Sequence, residues 1–183
     1  MSERKYYLMA RKIHPEGALL YGRSHPFVLE KSGEPLEPDV VGPFVYALDD
    51  ELSQGPMPTF FTSPAVVATV DFFQALQDIG INNIQAFEAV ILDEEEGREI
   101  RGYLYLNIVG LVSCANLDES EAESLGDDML VINQLVLQGS KVPPLDIFLV
   151  AEDTDNIIVS ERVYRHLSAR GYDDVYFEEL RQT

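Results

Sequence analysis

Near the C-terminus the spacing of apolar positions changes twice within about forty residues. Ile147-Phe148-Leu149-Val150 is a continuous apolar run, and Ile157-Ile158-Val159 is a second one. From Ser160 onward the period lengthens: Val163, Tyr164 and Leu167 fall on one face of a helix and charged residues occupy the rest. Ser160 is a good N-cap, with a hydroxyl able to accept from a free amide of the first turn. Arg170 suits the negative end of the helix dipole, and Gly171 takes the left-handed conformation that ends a helix without steric cost. Val175-Tyr176-Phe177 follows as a β-branched and aromatic run. The pattern predicts strand, helix, glycine turn, strand.

The same order occurs earlier in the chain. A single offset of 91 places Thr69 on Ser160, Phe73 on Tyr164, Leu76 on Leu167 and Gly80 on Gly171. It also places Asn82-Asn83-Ile84 on Asp173-Asp174-Val175, so each glycine is followed by an apolar residue, two Asx residues and a β-branched strand starter. Two copies so far apart do not make a solenoid, which stacks three or more shorter repeats. They predict one domain with two similar helix-to-strand corners. Chance is the competing explanation, since capped helices commonly end in Gly and Asx.

Between these landmarks, Tyr6-Tyr7-Leu8-Met9 reads as a first strand. The Pro- and Gly-rich stretch from His14 to Pro43 gives turn signals every few residues, with short strands expected near Phe27-Val28-Leu29 and Phe44-Val45-Tyr46. For the first helix, Ser63-Pro64 is a local start signal, whereas the duplication starts it at Thr69; Val70, Phe73 and Leu76 are its expected core face. Residues 86 to 112 read as a hairpin around the acidic turn Asp93-Glu94-Glu95-Glu96-Gly97. Leu117 to Ser124 reads as an acidic exposed turn or short helix, and Met129 to Leu137 as one apolar strand. The fold class is therefore α+β: a single domain, residues 1–183, with a mixed, largely antiparallel sheet. Residues 1–58 are expected as an irregular segment packed on a core formed by 59–183.

Composition narrows the class further. A chain of 183 residues with nine Phe and nine Tyr can bury a core without staples, and its single cysteine, Cys114, lies in an apolar run where it is expected to pack rather than react. No stretch reaches the roughly 20 apolar residues of a membrane span and no signal-peptide pattern is present, so a soluble, cytoplasmic protein is expected. The charge is unusual. Thirty-two acids oppose thirteen bases, a net of -19, and from Ile91 onward twenty acids oppose seven bases, a net of -13. Such a field repels nucleic acid and anionic membranes and steers basic proteins inward, although acidity also serves plain solubility.

Candidate chemistry is sparse. His14, His25 and His166 are isolated, without ligand spacing, and each is read as a satisfied or exposed side chain. No nucleophile elbow, phosphate loop or dinucleotide fingerprint occurs. The turn at 93–97 lacks the alternating acids of a calcium loop. Glu152, Asp153, Asp155 and Asn156 form the densest oxygen cluster, read as a polar turn before Ile157, with a metal or general base as the alternative. No catalytic residue, metal ligand or cofactor is assigned.

Tyr103-Leu104-Tyr105-Leu106-Asn107-Ile108-Val109, then Val112-Ser113-Cys114-Ala115-Asn116-Leu117-Asp118 and Ser120, then Asp146-Ile147-Phe148, then Ile158-Val159-Ser160-Glu161-Arg162-Val163 with Gly171 and Val175-Tyr176-Phe177, resemble the immunity proteins of the eleventh immunity family of polymorphic toxin systems. The similarity runs from about Phe60 to Leu180 and leaves the first sixty residues uncovered. It implies a cytoplasmic bacterial binder that neutralises a cognate secreted toxin, with no catalytic site. A basic toxin, such as a nuclease, suits the charge. The candidate partner-binding acids are Asp93, Glu94, Glu95 and Glu96 on the hairpin tip, Asp118, Glu119, Glu121 and Glu123 on the next acidic turn, and Asp153 and Asp155 before the last helix. A metal-dependent enzyme built on Glu152 to Asp155, or an acidic regulatory module, is the alternative.

Overall fold

The structure of the protein, a computed structural model, describes residues 4–12, 17–23, 31–49, 55–124 and 130–183. In chain order its first strands are β1 (Tyr6–Arg11), β2 (Leu20–Arg23), β3 (Phe44–Leu48), β4 (Phe60–Phe61) and β5 (Val67–Thr69). Helix α1 (Val70–Asp78) leads to the long hairpin β6 (Ile84–Asp93) and β7 (Arg98–Ile108). Short strands β8 (Leu111–Val112), β9 (Glu121–Ser124), β10 (Leu130–Gln134) and β11 (Val136–Leu137) follow. The chain closes with β12 (Ile147–Val150), β13 (Asp153–Ser160), α2 (Glu161–Arg170), β14 (Val175–Glu179) and β15 (Arg181–Gln182).

These elements form one α+β domain around two main sheets, ordered β14-β1-β13-β12-β8 and β2-β3-β6-β7-β5-β4. Most neighbours are antiparallel; β3 with β6, β12 with β8 and β11 with β15 are parallel. Two minor pairs, β9 with β10 and β11 with β15, complete it. No helix among the described residues is long and apolar enough to cross a membrane. The segment 1–58, expected as irregular chain with strands at Tyr6 to Met9 and near Phe44 to Tyr46, contributes β1 and β3 at those places and also β2 to these sheets. Strand β1 lies between β13 and β14, where Tyr7 and Met9 enter the core. The strand expected at Phe27-Val28-Leu29 lies outside the described residues.

The two helix-to-strand corners have the same plan. In one, β5-α1-β6 carries two parallel strands with β7 inserted antiparallel between them; in the other, β13-α2-β14 carries two with β1 inserted. Each also has an antiparallel neighbour on its outer side, β4 on β5 and β12 on β13. The inserted strand follows its corner in one copy and opens the chain in the other. Gly80 and Gly171 both take positive φ, 73° and 75°, as the repeat requires. The helices pack together: Arg162 donates to the Ile79 carbonyl at 2.5 Å and Arg170 pairs with Asp78. Cations of α2 thus face the negative end of α1.

Of the two starts offered for the first helix, the one given by the repeat holds: it begins after Thr69, whose hydroxyl accepts from the Phe72 amide, because the apolar residues that follow Ser63-Pro64 are drawn into pairing with β7. Three other local expectations change. The buried face of α1 is Phe72, Ala75 and Leu76, with Val70 exposed and Phe73 half-buried. Of two adjacent phenylalanines, Phe72 is the one that stacks on Phe60, 5.3 Å between centroids, and this sets the phase. Ser160 is an N-cap by position only; its hydroxyl donates to Asp146 at 2.6 Å and makes no bond to the first turn. The run ending at Leu137 is split at Leu135, so that β10 pairs with β9 while β11 pairs with β15.

The sheets share an apolar layer containing Tyr7, Met9, Ile157 and Val159 from one, Ala68, Leu106 and Ile108 from the other, and Phe72, Leu76, Val163 and Leu167 from the helices. The paired Asx residues of the repeat stitch its edges. The Asn83 amide donates to Val109 and Ile147 carbonyls at 2.8 and 2.9 Å, while Asp174 accepts from the Thr59 amide at 2.5 Å.

Open space surrounds the position of a Cβ at both Gly80 and Gly171. Gly80→Val and Gly171→Val are therefore expected to cost backbone strain alone, about 1–2 kcal/mol each in equilibrium unfolding. An unchanged midpoint for either would remove the shared left-handed cap. Asn83→Asp turns a double donor into an acceptor facing two carbonyls and is expected to destabilise by about 3 kcal/mol, more than Asn83→Ala. The order of the two variants in urea denaturation is the decisive reading.

Candidate functional site

The ten candidate acids divide by what their carboxylates already do. At the β6–β7 tip the last ladder pair is Asp93 with Arg98, and Gly97 turns the chain at a φ of 63°. Asp93 is only 6% exposed: it accepts from the Arg98 guanidinium at 2.8 Å and from the Glu96 amide at 3.0 Å. Those hydrogen bonds hold its carboxyl below the ordinary aspartate range. It builds the turn and is not available as a surface contact, contrary to its place among the candidates. Glu94, Glu95 and Glu96 are exposed around it.

The second group lies on a turn and a strand. The Asn116 carbonyl accepts from the Glu119 and Ser120 amides at 3.1 and 2.9 Å, closing one tight turn on which Asp118 and Glu119 are exposed. Glu119 pairs with Arg181 at 2.9 Å. The chain then extends into β9 rather than a helix, and all four of its residues, Glu121 to Ser124, are exposed. Glu121 is opposite Gln134 and Glu123 opposite Val131 on β10.

The third group is tied into the fold by its partners. Asp153 opens β13 and accepts from the Ile132 amide of β10 at 2.8 Å and from the Asp155 amide at 3.1 Å. Asp155 is exposed and pairs with Lys31. The expected polar turn before Ile157 is shorter than the sequence suggests, because Asp153 to Asn156 already belong to the strand. Asp153 therefore joins the β9–β10 ribbon to the five-stranded sheet, and the second and third groups are neighbours. The tip at 94–96 belongs to the six-stranded sheet.

Other candidate chemistry is likewise engaged or sealed. Glu152 accepts from the Ser113 hydroxyl at 2.7 Å, and burial, aided by the Glu152 charge, pushes the Cys114 thiol up to about 12. The described residues contain no group of three or more His, Cys, Asp or Glu side chains placed to hold a metal ion. His166, expected to be satisfied or exposed, is half-buried with its Nε2 sealed from solvent and unbonded. His14 and His25 lie outside the described residues.

Sequence reasoning missed the most connected carboxylate. Asp146, just before β12, receives the Ser160 hydroxyl at 2.6 Å, the Arg4 guanidinium at 2.5 Å and the Arg162 guanidinium. Burial opposes its charge, but the Arg162 and Ser160 hydrogen bonds, with the Arg162 and Arg4 charges, hold its carboxyl below the ordinary value. The signal was the pair Asp146 and Ser160-Glu161-Arg162, whose partners lie on separate elements. A comparison with protein-family models finds none that matches the chain, and a comparison with curated proteins likewise finds no match.

Because Asp146 is more acidic folded than unfolded, its stabilisation is present above about pH 4 and is lost as pH falls through the lowered folded value. Asp146→Asn is expected to cost about 1–2 kcal/mol at pH 7, a charged hydrogen-bond loss reduced by the exposure of both arginines. The gap between wild type and variant in urea titrations should narrow progressively as pH falls below about 4. A gap that stays constant from pH 7 to pH 3 would remove the charge from the account.

Proposed function

We propose that the protein is a bacterial immunity protein, acting in the cytoplasm, that binds and neutralises a cognate secreted toxin of basic character. The observation that carries this reading is the set of exposed acids without an ion-pair partner among the described residues: Glu95 and Glu96 at the hairpin tip, and Asp118, Glu121 and Glu123 beside and on β9. Like charges left unpaired on turns and an extended strand raise the local negative potential, which adds to the net charge of -19. A cationic toxin domain gains association rate from that field and register from the spacing of acids on β9. The resemblance of the stretch from about Phe60 to Leu180 to immunity proteins supports the same reading from another side.

The partner to test is the toxin encoded beside this protein's gene. The association rate is expected to fall steeply between 0.05 and 0.5 M salt, as the Debye length contracts from about 14 to about 4 Å, with dissociation changing less. Reversal of Glu121 and Glu123 to lysine, or of Glu94, Glu95 and Glu96 to lysine, should slow association by about tenfold for the cluster that makes contact. Stopped-flow kinetics read both effects. Indifference to salt and to both reversals would assign the interface to shape and apolar contact, and failure to bind or protect against that toxin would end the immunity reading.

A further inference from the structure

Strand β1 puts Tyr7, Met9 and Arg11 on one face; the first two enter the shared core, and Arg11 comes to lie where that core ends. Its guanidinium carbon is 5.0 Å from the centre of the Phe61 ring, and Nη1 donates to the Ala18 carbonyl at 2.5 Å. Nε is sealed from solvent and has no partner, and no carboxylate lies within ion-pair distance of Arg11 among the described residues. A half-buried guanidinium with one hydrogen bond and no ion-paired carboxylate among the described residues keeps donors unmatched. Burial lowers its pKa, opposed by the more distant charge of Asp174.

The arginine lines a cavity of about 580 Å³, between the end of β1, the turn after α2 and the segment leading to β4. Met57, Pro58 and Tyr172 form apolar wall, and the exposed Lys12 adds a second cation. Asp174 lines it too, but its carboxylate accepts the Thr59 amide. Volume and lining are those of a small-molecule site. We infer that this cavity binds a small organic carboxylate with an apolar body, the carboxylate on Arg11 and the body against Met57, Pro58 and Tyr172. A monoanion fits better than a phosphate, because a second charge would be repelled by Asp173 and Asp174 and by the net charge of the whole chain. The site is independent of the acidic surface and of the toxin reading.

The test is an amide-NMR titration of the full chain with benzoate, benzylammonium and inorganic phosphate in parallel. Benzoate is expected to bind with shifts centred on Thr59, Gly171 and Tyr172, and to bind more tightly than either other probe. Arg11→Gln should weaken benzoate by about tenfold, the loss of a charge-assisted hydrogen bond. Should that variant not fold, Lys12→Gln, with its exposed side chain, should still weaken binding by about threefold. Absence of benzoate shifts at these residues, preference for benzylammonium or phosphate, or unchanged affinity in the folded variants would each overturn the proposal.

Discussion

One side-chain amide holds the two sheets in register. Asn83 donates to the Val109 carbonyl at the end of β7 and to the Ile147 carbonyl at the start of β12, strands that belong to different sheets. Gly110 follows immediately, donating to Gly33 and accepting from Leu149, as the chain passes from one sheet into the other. Its φ of 149° favours glycine, and a Cβ there would crowd the Leu145 Cδ1 methyl at 3.3 Å. The apolar layer supplies most of the stabilisation, on the order of 1.5–3 kcal/mol for each large side chain fully buried. Burial alone is non-directional and would tolerate sliding; the amide fixes which residues face one another.

The internal repeat gives this clamp a counterpart. Asp174 occupies the position equivalent to Asn83 and receives the Thr59 amide just before β4, as Asn83 reaches the first residue of β12. Strands β4 and β12 hold matching places in the two sheets, so each corner reaches toward the outer strand of the other. The chemistry differs in sign: Asn83 presents donors to carbonyls, and Asp174 presents an acceptor to an amide. Helix contacts complete the pairing, since Arg162 and Arg170 of α2 meet the C-terminal end of α1.

Features carried by contiguous residues were legible in the sequence, and those assembled from distant ones were not. Both glycine caps, the β6–β7 hairpin and the buried run at β12 follow from local pattern, because each depends on neighbours within one or two turns of chain. The insertion of β1 between β13 and β14 depends on residues about 150 to 170 positions apart, and no periodicity encodes it. At the start of α1 the two signals divided for the same reason: Ser63-Pro64 is a good local signal, overruled by the pairing of Val67 to Thr69 with β7, and the start at Thr69 given by the repeat holds. Among the candidate acids, charge density identified exposed groups at 94–96 and 118–123. It could not separate them from Asp93 and Asp153, whose carboxylates bind backbone amides.

The ribbon of β9 and β10 is the element that the interior explains least. Glutamate is depleted in strands, and a two-stranded ribbon is marginal by itself. β9 buries none of its residues, whereas Ile132 and Leu135 on the other limb reach the core, and Asp153 holds the Ile132 amide. The ribbon is therefore anchored along β10 and presents β9 outward. Charge on an edge strand does discourage pairing between copies of a chain, and Glu121 and Glu123 supply it on β9. The additional acids on the adjoining turn, Asp118 and Glu119, lie off the strand, where Glu119 pairs with Arg181 of β15. Edge protection accounts for Glu121 and Glu123 and the Arg181 pair for Glu119; Asp118 is left exposed without an ion-pair partner among the described residues, and the proposed cationic partner is the one reading that would use it together with the others.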